Sequence, residues 1–309
     1  MHNRILDFSE EPAHLSARLS NLVIRRPDKP EVTLPFVDIA VLVSSHPQLT
    51  FTQAALAELA AAGAAFVTCD AQRLPVGLML PLQGHFTQSE RIACQVEAKL
   101  PVCKRAWQQL VRAKLRSQAA ALRLETGSDA GLAAMATRVK SGDPENVEAQ
   151  GARRYWALIF GDPTFRRDRD AADINRVLNY GYAVLRGMTG RAVCAVGLHP
   201  SIGLHHHNRY NQFVLADDVM EPFRPIVDRA AVSIAKTFGA GHELDKHVKA
   251  ELIAALTGRY RFEGELRSPF DILSRVASSL VAVFQGERAE LLLPDFDDFF
   301  SDDEETAGR

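Results

Sequence analysis

At 309 residues, with 47% hydrophobic and 24% charged residues, the chain has ample material for a folded core and length for about two domains, which excludes a disordered polymer. No stretch approaches the roughly 20 uninterrupted apolar residues of a membrane span; the longest candidate, 54–67, is alanine-rich and carries Glu58. The net charge of −2 conceals an asymmetry, because residues 295–309 hold seven acids and one base and leave the rest of the chain at +4, a balance that permits a nucleic-acid partner without demanding one.

The N-terminus has no apolar run long enough for a signal peptide, so a cytoplasmic location is expected. The four cysteines, Cys69, Cys94, Cys103 and Cys194, include no Cys-x-x-Cys pair. That argues against a thiolate zinc site and predicts reduced, mostly buried thiols.

Residues 3–82 read as strand-rich. Apolar alternation marks 4–8 and 14–19, and apolar runs follow at 22–25 and 38–43, punctuated by Glu-Pro, Arg-Pro-Asp and Lys-Pro turns. Thr50 or Thr52 then caps an alanine-rich helix that runs to Ala62 and stops at Gly63. Strands over 65–69 and 74–80 complete a β-sandwich-like domain, residues 1–85, with one helix laid against it.

From Gln88 the apolar period becomes 3.6. A helical region is predicted over 89–124, interrupted at Pro101. Between Ala98 and Leu124 it carries seven bases and no acid, with Trp107, Leu110, Val111 and Leu115 on its other side. Such a face suits a phosphate backbone, and it equally suits a solvated amphipathic helix. A second helix is expected over 127–140. Asp143, Pro144 and Glu145 form a helix start, with Asp143 as N-cap, and the helix continues to Phe160. Glu148 shares a face with Ala152, Tyr155 and Ile159. It is either a carboxylate that needs a partner or metal, or a surface acid paired with Arg153 or Arg154.

Residues 174–196 read as the core helix of this second part. After it come Gly203-Leu204-His205-His206-His207 and a helix over 219–237, for which Asp218 and Glu221 have capping-box spacing. Helices over 246–256 and 270–284, with a short hairpin between them, complete an all-α domain over 86–294. The acidic tail, 295–309, is expected to be mobile. The fold class is therefore α+β, a β domain followed by a larger all-α domain.

Glu148, one histidine of the triplet, and Asp218 or Glu221 form a mostly oxygen-donating set that fits Mg²⁺ or Mn²⁺ better than Zn²⁺. The bland alternatives are an exposed histidine loop and a purely local cap. No phosphate-binding Gly-x-x-x-x-Gly-Lys-Ser/Thr loop and no Gly-x-Ser-x-Gly elbow is present.

Three ordered motifs sharpen this choice. Asn146-Val147-Glu148-Ala149-Gln150-Gly151-Ala152-Arg153-Arg154-Tyr155-Trp156, then Leu178-Asn179-Tyr180-Gly181-Tyr182, then the run from Gly203 to His206 with Asp218-Val219-Met220-Glu221-Pro222-Phe223-Arg224-Pro225, resemble the signatures of the CRISPR-associated integrase family (the first-numbered Cas protein), with phrasing closest to type II members. The resemblance implies a metal-dependent DNA integrase and endonuclease that inserts short foreign DNA into a CRISPR array by 3′-hydroxyl attack. It places the metal ligands at Glu148, His206 and Glu221, with Asp218 assisting, and the ion as Mg²⁺ or Mn²⁺. Lys104, Arg105, Arg112, Lys114, Arg116 and Arg224 would contact double-stranded DNA. The implied partners are a second copy of the chain, joined through the β domain, a small ferredoxin-like Cas protein (the second-numbered one) and the type II effector nuclease. A non-catalytic DNA-binding scaffold and a general nuclease of branched DNA are the competing readings.

Overall fold

The computed structural model describes residues 3–71, 74–168, 170–171, 173–205 and 210–301. Its first part is built from β1 (Arg4–Phe8), β2 (His14–Arg18), β3 (Asn21–Arg25), β4 (Val32–Pro35), β5 (Ile39–Ser44), β6 (Thr50–Phe51), α1 (Gln53–Ala61), β7 (Ala65–Cys69) and β8 (Pro75–Met79). These strands form two four-stranded sheets, ordered β1-β5-β7-β8 and β4-β3-β2-β6. In the first, β1, β5 and β7 run parallel and β8 is antiparallel. β5 is central and buried on both faces, which explains its unbroken Ile39-Ala40-Val41-Leu42-Val43 run. Leu15, Leu22, Ile24, Ile39, Leu42 and Phe66 fill the space between the sheets, with Leu59 of α1. Thr52, not Thr50, caps α1 by accepting from the Ala55 N–H. Thr50 belongs to β6, which runs directly into the helix start.

The second part comprises α2 (Gln88–Val96), α3 (Leu100–Thr126), α4 (Leu132–Arg138), α5 (Val147–Ile159), α6 (Ile174–Ala195), α7 (Val214–Met220), a 3₁₀ turn (Glu221–Phe223), α8 (Arg224–Phe238), α9 (Lys246–Thr257), the antiparallel pair β9 (Tyr260–Phe262) and β10 (Glu265–Arg267), and α10 (Pro269–Phe284). Pro101 falls in the first turn of α3, where its missing N–H is harmless, so the expected interruption lies just before it. α6 is buried along most of its length, as its periodicity predicts. Its Gly187 lies against Val41, Ala65 and Val67, so one hydrophobic cluster runs from the parallel sheet into the helices.

Several expectations need correcting. α4 is only seven residues long; Ala130 and Gly131 take left-handed conformations that delay its start. The single helix expected over 219–237 is α7, the 3₁₀ turn and α8, because Pro222 and Pro225 remove backbone donors at the join. Three of the cysteines, Cys69, Cys94 and Cys103, are half-buried and only Cys194 is buried; all four are free thiols. The acidic tail expected to be mobile is packed against the helices as far as it is described, through Ser301. Phe296, Phe299 and Phe300 are buried, and they pack on Phe223, on Tyr260 and on one another. The burial of these three rings outweighs the mutual repulsion of the acids. Residues 302–309 lie outside the described residues.

Candidate metal centre

The centre is assembled by α3, α5 and the 3₁₀ turn. α5 starts three residues later than expected. Asn146, in the left-handed region at φ 51°, is its N-cap and accepts from the Ala149 N–H. Asp143 still serves the helix from outside it: its two carboxylate oxygens accept from the backbone N–H groups of Val147 at 2.9 Å and Glu148 at 3.0 Å. The Gly142 N–H donates to the Lys104 carbonyl at 3.0 Å, which ties this turn to α3. The backbone of Glu148 is thus fixed on both sides of its helix start.

The Glu148 side chain pairs with neither Arg153 nor Arg154. Its Oε1 accepts from the Lys114 ammonium at 2.5 Å, and the same ammonium lies 2.7 Å from Glu221 Oε2. Glu221 Oε1 pairs with Arg224 Nη2 at 2.9 Å. Lys114 and Glu221 are 8% and 7% exposed, so these charges meet largely out of water. Burial alone would push the Lys114 ammonium down; the Glu221 and Glu148 carboxylates outweigh it and hold it above its ordinary value. Burial likewise opposes the Arg224 charge, and Glu221, with help from Tyr182, Asp217 and Asp228, more than restores it.

Asp218 is not a cap. It lies inside α7, fully buried, and its Oδ2 accepts from the backbone N–H groups of Leu204 at 2.8 Å and His205 at 3.3 Å. Asp217 beside it grips Arg186 through both carboxylate oxygens, at 2.6 and 2.9 Å, and accepts from Asn211 Nδ2 at 2.7 Å. The two acids together fasten both described ends of the histidine loop. The His205 ring stacks parallel on Trp107 of α3, with centroids 4.6 Å apart. His206, the histidine singled out by the motif, lies outside the described residues, as does His207. Among the described residues no group of three His, Cys, Asp or Glu side chains is placed to hold a metal.

The remaining expected contacts divide. Lys104, Arg105 and Arg116 are exposed on α3. Arg112 is half-buried and its guanidinium donates twice to the Val139 carbonyl, at 3.2 and 2.8 Å, which closes the end of α4. Lys114 departs most from the expectation of a phosphate-facing base, because the helix turns it inward between two carboxylates. Its burial had a signal in the sequence: it stands seven residues after Trp107 and four after Leu110, on the apolar face. Arg224 is half-buried, with its guanidinium 4.6 Å from the centre of the Tyr182 ring. Tyr182 and Tyr155 both donate to the buried Asp228, the second at 2.9 Å. None of these three residues stands out from spacing alone.

Two carboxylates that converge on one cation are the donor arrangement a hard divalent ion needs, and their oxygens suit Mg²⁺ or Mn²⁺. Glu148 and Glu221 therefore fit the expected ion, with a third donor still required.

The family model described as CRISPR associated protein Cas1 matches residues 8–240. The chain is 35% identical over 267 residues to the CRISPR-associated endonuclease Cas1 of Neisseria meningitidis serogroup C (strain 8013), across 85% of this chain and 87% of that one. A casposase bound to integration product shares the fold with a TM-score of 0.76 at 19% identity, over 95% of this chain and 93% of that one. A chain of a Cas6-RT-Cas1–Cas2 complex does so with a TM-score of 0.71 at 16% identity, over 95% of this chain and 36% of that one. With a family match over most of its length and a relative this similar, the chain belongs to the Cas1 family of CRISPR-associated proteins.

Proposed function

We propose that this chain is the DNA integrase and endonuclease of CRISPR spacer acquisition, and that it is metal-dependent. One observation carries the metal reading: Glu148 and Glu221, from elements 73 residues apart in sequence, meet on a single positive charge. Together with His206 they would hold Mg²⁺ or Mn²⁺. Bound there, the ion supplies Lewis-acid polarisation of a phosphoryl oxygen.

In the reaction, the 3′-hydroxyl oxygen of a short foreign duplex bonds to a phosphorus at the repeat boundary as the bond to the repeat strand's own 3′-oxygen breaks. The departing oxygen takes up the proton, so the number of phosphodiesters is conserved and no covalent protein intermediate is required. Asp218 and Asp217 hold the described ends of the histidine loop, at Leu204–His205 and at Asn211, and Asp143 holds the backbone of Glu148, so this part of the frame is set before substrate arrives. The exposed Lys104, Arg105 and Arg116 supply phosphate contacts that position DNA without reading its sequence. Family membership, and a structural relative that is part of a Cas6-RT-Cas1–Cas2 complex, support the small ferredoxin-like Cas protein as a partner. A homodimer joined through residues 1–85 and contact with the type II effector nuclease complete the proposal.

The test is strand transfer of a duplex with free 3′ ends into a repeat-containing plasmid. Glu148→Gln and Glu221→Gln are expected to reduce it to background while the circular dichroism of the protein is kept. Full transfer by either variant would remove the metal centre from the mechanism, and transfer into plasmids without a repeat would favour a general nuclease.

A further inference from the structure

Lys114 is the feature of the centre that the proposed chemistry does not use. A lysine that is 8% exposed, on the core-facing side of the central helix, is an expensive residue to bury. It is stable here because two acids face it. Its Nζ is 2.5 Å from Glu148 Oε1 and 2.7 Å from Glu221 Oε2. Arg224, whose guanidinium takes the other Glu221 oxygen, is the further charged group facing it. Among the described residues, two carboxylates here face two cations.

Without the ammonium, Glu148 and Glu221 would face each other across a water-poor space, and like charges at such range repel strongly. A divalent ion that takes the same two oxygens at about 2.0–2.6 Å would stand close beside the ammonium nitrogen, which lies 2.5 and 2.7 Å from them, and two positive centres at that range repel strongly.

We propose that Lys114 is a positioning residue, the resident counter-cation of the centre: it holds Glu148 and Glu221 together in the metal-free protein, and a divalent ion loads only by displacing it. This rests on the metal reading of the two glutamates. Its consequence is a centre that keeps its shape without metal and binds metal more weakly than its carboxylates alone would allow. A merely structural ion pair would have the opposite effect, since its removal would disorder the ligands and weaken binding.

The experiment is a calorimetric Mn²⁺ titration of the full chain, as wild type, Lys114→Met and Glu148→Gln, with thermal melts of each at matched Mn²⁺. Lys114→Met is expected to melt lower than wild type without metal. It should bind Mn²⁺ more tightly by about tenfold, the effect of one displaced charge-assisted pair. Mn²⁺ should also raise its melting temperature by more than it raises that of wild type. Affinity equal to or weaker than that of wild type overturns the inference. Should metal-free Lys114→Met be unfolded, refolding by added Mn²⁺ supports the inference, and failure to refold overturns it. Glu148→Gln separates the two layers. If it leaves wild-type Mn²⁺ binding unchanged, the metal reading fails and the inference fails with it. If it abolishes that binding while Lys114→Met changes nothing, only the inference fails.

Discussion

Asp228 carries its carboxylate into the helical core, where it accepts from the phenols of Tyr155 and Tyr182. Burial pushes its acid up to about 6; the two phenols, then Arg224 and Arg167, pull against that rise. The phenols themselves are held well above their ordinary range by burial and by Asp228, so they stay protonated and donate. Between about pH 4 and pH 6 the folded chain therefore keeps a proton that the unfolded chain has released. The stability that Asp228 contributes is full below about pH 4 and is lost as pH rises through about 6. Asn at this position does not titrate. Denaturant melts should show the stability of wild type relative to Asp228→Asn falling by a few kcal/mol across that window; a pH-independent difference would contradict it. The residues that bear the chemistry differ in how far a linear reading reveals them. Glu148 and Glu221 are legible because their neighbours form compact motifs. Lys114 is not, because its role exists only once α3 has brought it between two acids from other elements. The sequence places Lys114 on the apolar face of its helix, and only packing supplies the two acids that it meets there. Asp218 misleads for a related reason. Its spacing to Glu221 is that of a cap, yet a longer-range demand, the two loop N–H groups at Leu204 and His205, takes its oxygen.

At the scale of elements, helix interiors follow the apolar period closely and helix ends do not. α5, α7 and α8 are displaced or divided where prolines and left-handed residues meet competing side-chain acceptors. The 3₁₀ turn that carries Glu221 is the clearest case, and the end of the chain supports it. Phe223, the last residue of that turn, is fully buried against Phe296 and Phe299, with ring centroids 5.9 and 6.3 Å away. Arg123 and Arg261 pair with Asp297 and Asp298 at the rim, at 3.5 and 3.2 Å. These exposed pairs add little beside the aromatic burial. The composition of 295–309 hides this docking, because its seven acids dominate any average while the Phe296-x-x-Phe299-Phe300 spacing gathers three rings on one side. Phe299→Ala is expected to destabilise the chain by about 3–5 kcal/mol, the range for removing a buried aromatic. Urea unfolding measures this, and a loss below about 1 kcal/mol would mean that the segment is only loosely attached.

Across the whole molecule, the sheet ordered β1-β5-β7-β8 is covered on one face by the other sheet and on its second face by α6. The β-rich and helical parts therefore share a core. A polar link crosses the same boundary. The Tyr180 hydroxyl of α6 donates to Asp7 Oδ2 of β1 at 2.7 Å, and Lys249 of α9, which is 2% exposed, lies 3.8 Å from Asp7 Oδ1. The Lys249 ammonium also sits 5.3 Å from the centre of the Tyr180 ring. Asp7→Asn keeps an acceptor for Tyr180 and removes the charge that faces Lys249, a change on the order of a few kcal/mol for a pair this buried. The chain's two tryptophans, Trp107 on α3 and Trp156 on α5, both report on the helical part. If the shared core makes the chain one cooperative unit, this substitution in a β-strand should lower the tryptophan-emission midpoint and the far-ultraviolet circular dichroism midpoint together, by the same several degrees. A tryptophan transition that stays at its wild-type temperature while the dichroism signal moves would show that the two parts unfold separately. Glu148, Glu221 and Lys114, carried on α5, the 3₁₀ turn and α3, would then not depend on the sheet for their placement.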